Sequence, residues 1–287
     1  MSTDVILTGT GVPFPAPGRA GAGTLIRSAD TVVQFDAGRA TVMRLAEAGV
    51  GPHELDALFI THVHNDHVAD VPDIVLTRWE QNRITPCHAL TIVAPQGDTE
   101  DFLHRMLDPF ARDIALRIEH TGHNAPQYEV EVFTPKPTPA TVWNSADGTV
   151  EVSAIAVHHE PVDAVAYRVT TADGTVVISG DTRVCDDIEA LCAGADIVVH
   201  EACRSSALGP HVRGTVLETI FDYHADTVEL GAMAQRAGIP HLVLTHLIPA
   251  PTTDRDEEEF VADIRRGGYR GRVTVGRDLT TVSLSGR

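Results

Sequence analysis

The stretch Thr61-His62-Val63-His64-Asn65-Asp66-His67 directly follows the apolar run Leu58-Phe59-Ile60. Side chains two residues apart in an extended segment point the same way, so we expect His62 and His64 to face one point. Once the chain turns, Asp66 and His67 are expected to face a second point beside the first. Imidazole nitrogens and carboxylate oxygens bind zinc and similar divalent metals. The stretch therefore predicts a metal site at the end of a strand.

Ligand-type residues also follow three distant apolar runs. They are His158-His159 after residues 150–157, Ser179-Gly180-Asp181-Thr182 after residues 176–178, and Thr245-His246 after residues 242–244. Loops at the ends of strands carry functional side chains on a rigid scaffold, and strand ends converge on one edge of a sheet. We therefore expect all four groups to contribute to one metal site.

Short apolar runs rich in β-branched residues predict twelve strands, and several segments between them have helical periodicity. The predicted strands are residues 5–7, 24–26, 32–35, 57–60, 90–93, 150–157, 164–169, 176–178, 197–199, 242–244, 273–275 and 280–284. The predicted helices are residues 40–48, 68–80, 101–107, 185–193, 227–237 and 257–266. Strands are grouped early and alternate with helices later. This order predicts an α+β fold, in one domain of residues 1–287, with two mixed sheets packed face to face and helices outside.

Three long segments lack these patterns. Residues 134–148 carry three prolines and are predicted to be a surface loop. Residues 109–126 and 205–222 are predicted to be loops that shape a substrate pocket.

The composition narrows the class of protein. The chain has 287 residues and a formal charge of −18, with a pI near 5.1. This charge disfavours nucleic acid, whose binding depends on Lys and Arg contacts with phosphates. The four cysteines have no metal-finger spacing and are expected to be reduced thiols in a cytoplasmic protein. We find no signal peptide and no apolar run that predicts a membrane span.

The order of these motifs resembles the metallo-β-lactamase superfamily over nearly the whole chain. H-x-H-x-D-H is followed by His159, by Gly180-Asp181-Thr182 and by Thr245-His246. Other motifs resemble the ribonuclease Z and arylsulfatase-like branch: Gly9-Thr10-Gly11-Val12-Pro13, Phe35-Asp36-Ala37-Gly38, His159-Glu160-Pro161-Val162, Ala166-Tyr167-Arg168, His200-Glu201-Ala202 and His224. The resemblance implies an αββα sandwich with two metals at one edge.

The resemblance also implies a role for each ligand-type residue. His62, His64 and His159 would bind one metal, Asp66, His67 and His246 would bind the other, and Asp181 would bridge them. His158 would point to the opposite face of its strand, as a core residue or a support for the ligands. Asp36 would orient ligand histidines, or would only be a turn residue before Gly38. The cofactors expected are two divalent ions, zinc first, with manganese or iron as alternatives.

Such a pair of cations lowers the pKa of bound water to roughly 7 and supplies a hydroxide nucleophile for hydrolysis at neutral pH. Asp66 would orient this nucleophile while binding metal. His224 resembles the general-acid histidine of the family, and Glu201 resembles the carboxylate that pairs with it. The alternative interpretation is that His224 and Glu201 only brace local structure.

The substrate is predicted from what the chain lacks. Ribonuclease Z is a tRNA-processing enzyme whose bacterial short forms carry a basic arm between the Gly-Tyr and Gly-Asp-Thr motifs, whereas residues 169–174 have room only for a hairpin turn. We therefore expect no tRNA partner and no membrane partner. The expected substrate is a small phosphodiester, aryl sulfate or carboxylate ester, or activated aryl ether, bound by a homodimer or higher homo-oligomer. The aromatic candidates for the lining of an apolar pocket are Phe14, Trp79, Phe110 and Trp143.

Three alternatives stay open. One is a ribonuclease Z-like RNA phosphodiesterase. The others are an iron-containing redox protein and a non-catalytic interaction protein on the same scaffold.

Overall fold

The computed structural model describes residues 2–209 and 212–284, and over these residues the chain forms two seven-stranded mixed sheets. The first sheet contains, in spatial order, β14 (Thr281–Ser283), β1 (Asp4–Gly9), β2 (Gly23–Ser28), β3 (Thr31–Phe35), β4 (Ala57–Phe59), β5 (Leu90–Pro95) and β6 (Tyr128–Phe133). The second contains β13 (Arg272–Val275), β12 (His241–Ile248), β11 (Ile197–Cys203), β10 (Gly174–Ile178), β9 (Val162–Thr171), β8 (Glu151–His159) and β7 (Ala140–Asn144).

The described residues form nine α-helices, and six of them cover the outer faces of the two sheets. The nine helices are α1 (Thr41–Glu47), α2 (Asn65–Val68), α3 (Val71–Gln81), α4 (Asp98–Arg105), α5 (Ala111–Thr121), α6 (Asp186–Cys192), α7 (Val216–Phe221), α8 (Thr227–Arg236) and α9 (Asp254–Arg266). Buried residues of α1, α3 and α4 pack on the first sheet, and those of α6, α8 and α9 pack on the second. The predicted sandwich of two mixed sheets with helices outside is confirmed. Among the described residues, no helix combines the length and the apolarity that a bilayer span requires.

The inner faces of the two sheets form a third apolar layer. Phe35 and Phe59 of the first sheet stack with ring centroids 4.7 Å apart, and Tyr167 of the second sheet packs edge-on against Phe59. The Tyr167 hydroxyl donates a hydrogen bond of 2.7 Å to the carbonyl oxygen of Ile60. This bond crosses between the sheets directly before Thr61, so the core fixes the start of the histidine-rich stretch.

All twelve predicted strands are present, and the prediction missed two. β6 and β7 each lie at one edge of their sheet, and every one of their residues is partly buried or exposed. An edge strand that packs weakly needs no apolar run, so neither strand has the pattern that marks the buried ones. Residues 134–148 are predicted to be a loop, and this prediction is wrong for Ala140–Asn144, which form β7.

The predicted loops 109–126 and 205–222 contain α5 and α7, respectively. Neither helix has a buried residue, so neither needs the apolar face that a packed helix shows in its sequence. Residues 210 and 211 of the second predicted loop lie outside the described residues.

Candidate metal centre

The ligand-type residues meet where the ends of β4, β8, β10 and β12 lie together. The histidine-rich turn reaches this point because the backbone packs closely around Asp66. A Cβ atom at Gly38 would lie 1.9 Å from the Asp66 carbonyl oxygen, and one at Gly21 would lie 2.7 Å from it. Glycine is therefore required at both positions for the turn to sit against the first sheet.

Three imidazoles from two sheets converge in a first ligand group. His64 Nδ1 lies 3.0 Å from His62 Nε2 and 3.2 Å from His159 Nε2. A tetrahedral ion with bonds of about 2.1 Å separates its ligand atoms by about 3.4 Å, so the spacing of these nitrogens is close to that of a metal site. Burial is the main cause that lowers the pKa of each ring, which favours the neutral form that binds metal.

Hydrogen bonds on the far side fix the tautomers of two of these rings. The Thr61 hydroxyl donates its one proton to Asp36, so it accepts a hydrogen bond of 3.0 Å from His62 Nδ1. His159 Nδ1 donates to the Tyr223 carbonyl oxygen at 3.4 Å. Both rings therefore present the lone pair of Nε2 to His64 Nδ1. A single N–H at Nδ1 can satisfy only one of these two lone pairs. A cation satisfies all three nitrogens together.

Asp181 connects this group to a second one. Its Oδ2 atom lies 3.8 Å from His62 Nε2, 3.7 Å from His159 Nε2 and 3.3 Å from His246 Nε2. Its Oδ1 atom lies 3.3 Å from His67 Nε2. One buried carboxylate therefore faces ligand nitrogens of both groups, which is the geometry expected of a bridging ligand.

The second group is Asp66, His67 and His246, whose ligand atoms lie within 4.8 Å of one another. Asp66 Oδ2 is 3.2 Å from His246 Nε2, while Asp66 Oδ1, His67 Nε2 and Asp181 Oδ1 are buried without a hydrogen-bond partner. Burial lowers the pKa of His67, but the nearby carboxylates, led by Asp181, outweigh burial and raise it well above its ordinary value. A divalent ion at this point would take the place of that proton.

Asp36 supports both groups from behind. It adopts the left-handed region with φ +55°. Its carboxylate accepts hydrogen bonds of 2.8 Å from the Thr61 amide, the Thr61 hydroxyl and His67 Nδ1. Of the two interpretations of Asp36, the structure therefore favours the residue that orients ligand histidines.

A histidine–carboxylate pair borders the two groups. His224 Nδ1 lies 3.0 Å from both carboxylate oxygens of Glu201, and the His224 ring stacks on His246 with centroids 5.3 Å apart. Burial lowers the pKa of His224, but the charge and hydrogen bonding of Glu201 outweigh it and raise the pKa to about 9. Glu201 Oε1 also accepts a hydrogen bond of 2.7 Å from the Thr182 amide. This bond ties the pair to the loop that carries Asp181.

Some predicted features lie elsewhere. The His158 side chain lies half-buried at the surface beside Asp187, and not in the core. Trp143 packs edge-on against Phe59 between the sheets, whereas Trp79 and Phe110 line a surface groove of about 570 Å³. The four predicted aromatics therefore do not line one pocket.

Sequence reasoning missed three groups that support the ligands. Thr61 orients His62, the Tyr223 carbonyl oxygen orients His159, and the Thr182 amide holds Glu201. Thr61 and Thr182 each adjoin a predicted ligand, which is a usable signal. A backbone carbonyl carries no signal in the sequence at all.

The donor set fits two divalent ions. It combines five histidines and two carboxylates in two overlapping groups, with buried lone pairs that nothing in the described chain satisfies. His246 has φ +44°, a conformation that favours glycine, and such residues concentrate at functional sites.

Comparison with known proteins identifies relatives of similar length. A family model described as a β-lactamase superfamily domain matches residues 29–247. The chain is 34% identical to a protein named Ribonuclease Z from Mycobacterium bovis over 287 residues, covering 99% of each chain. It is 38% identical to a protein of the same name from Mycobacterium sp. (strain KMS) over 286 residues, covering 98% of this chain and 96% of the relative.

Two solved structures share the fold. The metallo-β-lactamase fold protein YhfI from Bacillus subtilis has a TM-score of 0.73 at 23% identity, with 98% of this chain and 100% of that chain covered. The short form of human tRNase Z has a TM-score of 0.70 at 21% identity, with 98% of this chain and 99% of that chain covered.

The expectation of a small-molecule substrate and no tRNA is wrong, because relatives that match the chain from end to end are named Ribonuclease Z. Two arguments led to this wrong expectation. The charge of −18 is summed over the whole chain and does not describe a pocket that holds cations. The missing arm does not separate this chain from a relative that it matches over 99% of both lengths.

Proposed function

Because this chain belongs to the metallo-β-lactamase superfamily, in the branch of its Ribonuclease Z relatives, we propose that it is an RNA phosphodiesterase that cleaves tRNA precursors. The family makes it a metal-dependent hydrolase. The observation that carries the RNA assignment is the end-to-end match to the mycobacterial proteins of that name. That match gives no support to a redox or a non-catalytic role.

The ligand geometry supports a hydrolytic centre with two ions. His62, His64 and His159 would hold one ion and Asp66, His67 and His246 the other, with Asp181 between them. When bound, such ions polarise a phosphoryl group, neutralise developing negative charge and lower the pKa of water to roughly 7. Asp66 keeps one buried oxygen without a hydrogen-bond partner, which supports a role both as a metal ligand and in orienting the nucleophile.

His224 supplies the proton that the leaving oxygen needs. Glu201 occupies Nδ1, which leaves Nε2 as the ring nitrogen available to a substrate. With a pKa raised to about 9, the ring is protonated at neutral pH. Bound cations would lower this value by repulsion, and Glu201 opposes that effect. Transfer of a proton by a positioned acid typically contributes ~10²–10⁴-fold to the rate.

The local charge allows an RNA phosphate to enter. The ligand set carries two carboxylates, so two divalent ions make it net positive when its histidines are neutral. A positive centre in a negative protein attracts a phosphate to one place and leaves the rest of the surface repulsive. We therefore expect cleavage to fall as salt rises, because phosphate contacts are screened.

The test is cleavage of a precursor tRNA with a 3′ trailer by the metal-loaded protein. We expect His224→Ala to keep its full metal content and to lose ~10²–10⁴-fold in turnover, because only the proton donor is removed. The wild-type rate should fall as pH rises through the pKa of His224, at or below about 9. This limb of the pH profile should be absent in His224→Ala.

The matched control is His104→Ala, which removes a histidine whose side chain is 60% exposed on α4. It should cleave at the wild-type rate. Wild-type turnover by His224→Ala would exclude the general-acid role. Failure of the metal-loaded wild-type protein to cleave any precursor tRNA would exclude the proposed function itself.

A further inference from the structure

A second cluster of metal-type ligands lies outside the catalytic centre. His158 at the end of β8, Cys185 before α6 and Asp187 in the first turn of α6 each place a ligand atom within 4.8 Å of the other two. His158 Nε2 is 3.3 Å from Asp187 Oδ2. Their exposure is intermediate, with 44% of the His158 side chain and 35% of the Asp187 side chain accessible, so an ion from solvent can reach them.

The chemistry of the cluster differs from that of the catalytic centre. A thiolate, an imidazole and a carboxylate form a zinc-type donor set, and water can complete a tetrahedron. With bonds of about 2.1 Å, tetrahedral zinc separates nitrogen and oxygen ligands by about 3.4 Å, which agrees with the 3.3 Å between His158 and Asp187. The catalytic ligand set contains only histidine and aspartate, so it offers no sulfur.

We propose that His158, Cys185 and Asp187 form a third metal site, which takes zinc or another thiophilic divalent cation. On binding, the Cys185 thiol loses its proton to solvent and the sulfur–metal bond forms. The negative charge around His158 favours a cation, since Glu160 Oε1 lies 3.8 Å from Nδ1. Arg183 is the nearby positive group, and it pairs with Glu160 at 3.2 Å.

The position of this site links it to the catalytic loop. The His158 amide donates to the Thr182 hydroxyl at 3.3 Å, and the Arg183 amide donates to the His158 carbonyl oxygen at 3.2 Å. An ion held by His158 and α6 therefore braces the segment that contains Asp181. The inference concerns metal content alone and does not depend on which substrate the enzyme cleaves.

Equilibrium dialysis against zinc tests the stoichiometry. We expect three zinc ions per chain in the wild-type protein and two in Cys185→Ser and His158→Gln. Cys87→Ser is the matched control, because Cys87 is also partly exposed but lies outside the cluster, and it should keep three. Two ions per chain in the wild-type protein would overturn the proposal.

Cobalt substitution gives a readout that the catalytic centre cannot produce. Cobalt bound to a thiolate shows a sulfur-to-metal charge-transfer band, whereas the five histidines and two aspartates of the catalytic centre cannot give one. We expect the band in the wild-type protein and in Cys87→Ser, and we expect it to be lost in Cys185→Ser. In His158→Gln, cobalt should bind at this site at least tenfold more weakly. Circular dichroism checks that each variant is folded. A band that persists in Cys185→Ser places the cobalt on another thiol and rejects the site.

Discussion

At the scale of single residues, Asp36 orients candidate ligand histidines without being a candidate ligand itself. Asp36 accepts three hydrogen bonds, two from Thr61 and one from His67 Nδ1. It thereby fixes the Nε2 lone pair of His67 directly and that of His62 through the Thr61 hydroxyl. Asparagine at this position would keep one acceptor oxygen. Its NH₂ group would replace the other oxygen and face a donor of Thr61 or His67, so a hydrogen bond would be lost.

We therefore expect Asp36→Asn to weaken metal binding by about 10–100-fold, the usual cost of losing a group that orients a ligand histidine. Competition with a coloured chelator measures the affinity. Asp30→Asn, which changes an exposed aspartate in the turn between β2 and β3, should bind metal as the wild-type protein does. Equal affinities for Asp36→Asn and Asp30→Asn would show that Asp36 is only a turn residue.

From the sequence, the histidines and aspartates that meet at this point could be named, but not all the groups that orient them. His62, Asp66 and Asp181 have side chains whose chemistry can be recognised from the order of residues alone. The orientation of His159 depends on the Tyr223 carbonyl oxygen. Every residue has a backbone carbonyl, so the sequence does not show which one will lie beside His159. The cluster of His158, Cys185 and Asp187 joins two elements through packing, which the spacing of the residues does not reveal.

At the scale of elements, α9 shows how a local sequence fixes a boundary. The Thr253 hydroxyl accepts a hydrogen bond of 3.2 Å from the Asp256 amide, and the Asp256 carboxylate accepts one of 2.9 Å from the Thr253 amide. This capping box satisfies two backbone donors at the helix start. The acidic run in residues 254–259 is thus the first turns of a helix whose Phe260 and Ile264 are buried.

Loss of this cap should destabilise the protein. We expect Thr253→Ala to lower the free energy of unfolding by about 1 kcal/mol, because it leaves the Asp256 amide without its acceptor. Urea denaturation measures the change. Thr138→Ala, in the exposed segment between β6 and β7, controls for the loss of a threonine and should leave the unfolding midpoint unchanged. Equal midpoints for the two variants would mean that the cap contributes nothing.

Most elements with a buried face could be predicted from the sequence, whereas β6, β7, α5 and α7, which have no buried residue, were missed. β4 and residues 176–178 of β10 are continuous apolar runs, because every residue in them is buried and both faces are covered. β6, β7, α5 and α7 form from backbone hydrogen bonds and a few partial contacts. β6 nevertheless alternates apolar and acidic residues from Tyr128 to Val132, which is a strand signal that the prediction did not use. In α5, Ile114 and Ile118 likewise have the spacing of a helix face.

At the scale of the whole molecule, the candidate ligand set brings residues of both sheets together at one edge. His62, His64, Asp66 and His67 follow β4 of the first sheet, whereas His159, Asp181 and His246 belong to the second. At this junction, four buried ligand-type atoms have no hydrogen-bond partner: Asp66 Oδ1, His67 Nε2, Asp181 Oδ1 and His246 Nδ1. Each ion would therefore connect the halves of the sandwich and bind the folded chain far better than the unfolded one.

Metal should consequently stabilise the whole fold. A ligand at a hundredfold excess over its Kd stabilises the native state by about 2.7 kcal/mol per site, so two sites should raise Tm by on the order of 10 °C in a chain of this length. The shift in Tm is measured by thermal unfolding in zinc and in excess chelator. The protein used is Cys185→Ser, which lacks the proposed third site. Asp181→Asn, which removes the charge facing both groups, should lose most of the shift, and Asp30→Asn should keep it. Identical melting in zinc and in chelator would contradict the dinuclear centre, since ions held by residues of both sheets cannot leave the unfolding equilibrium unchanged.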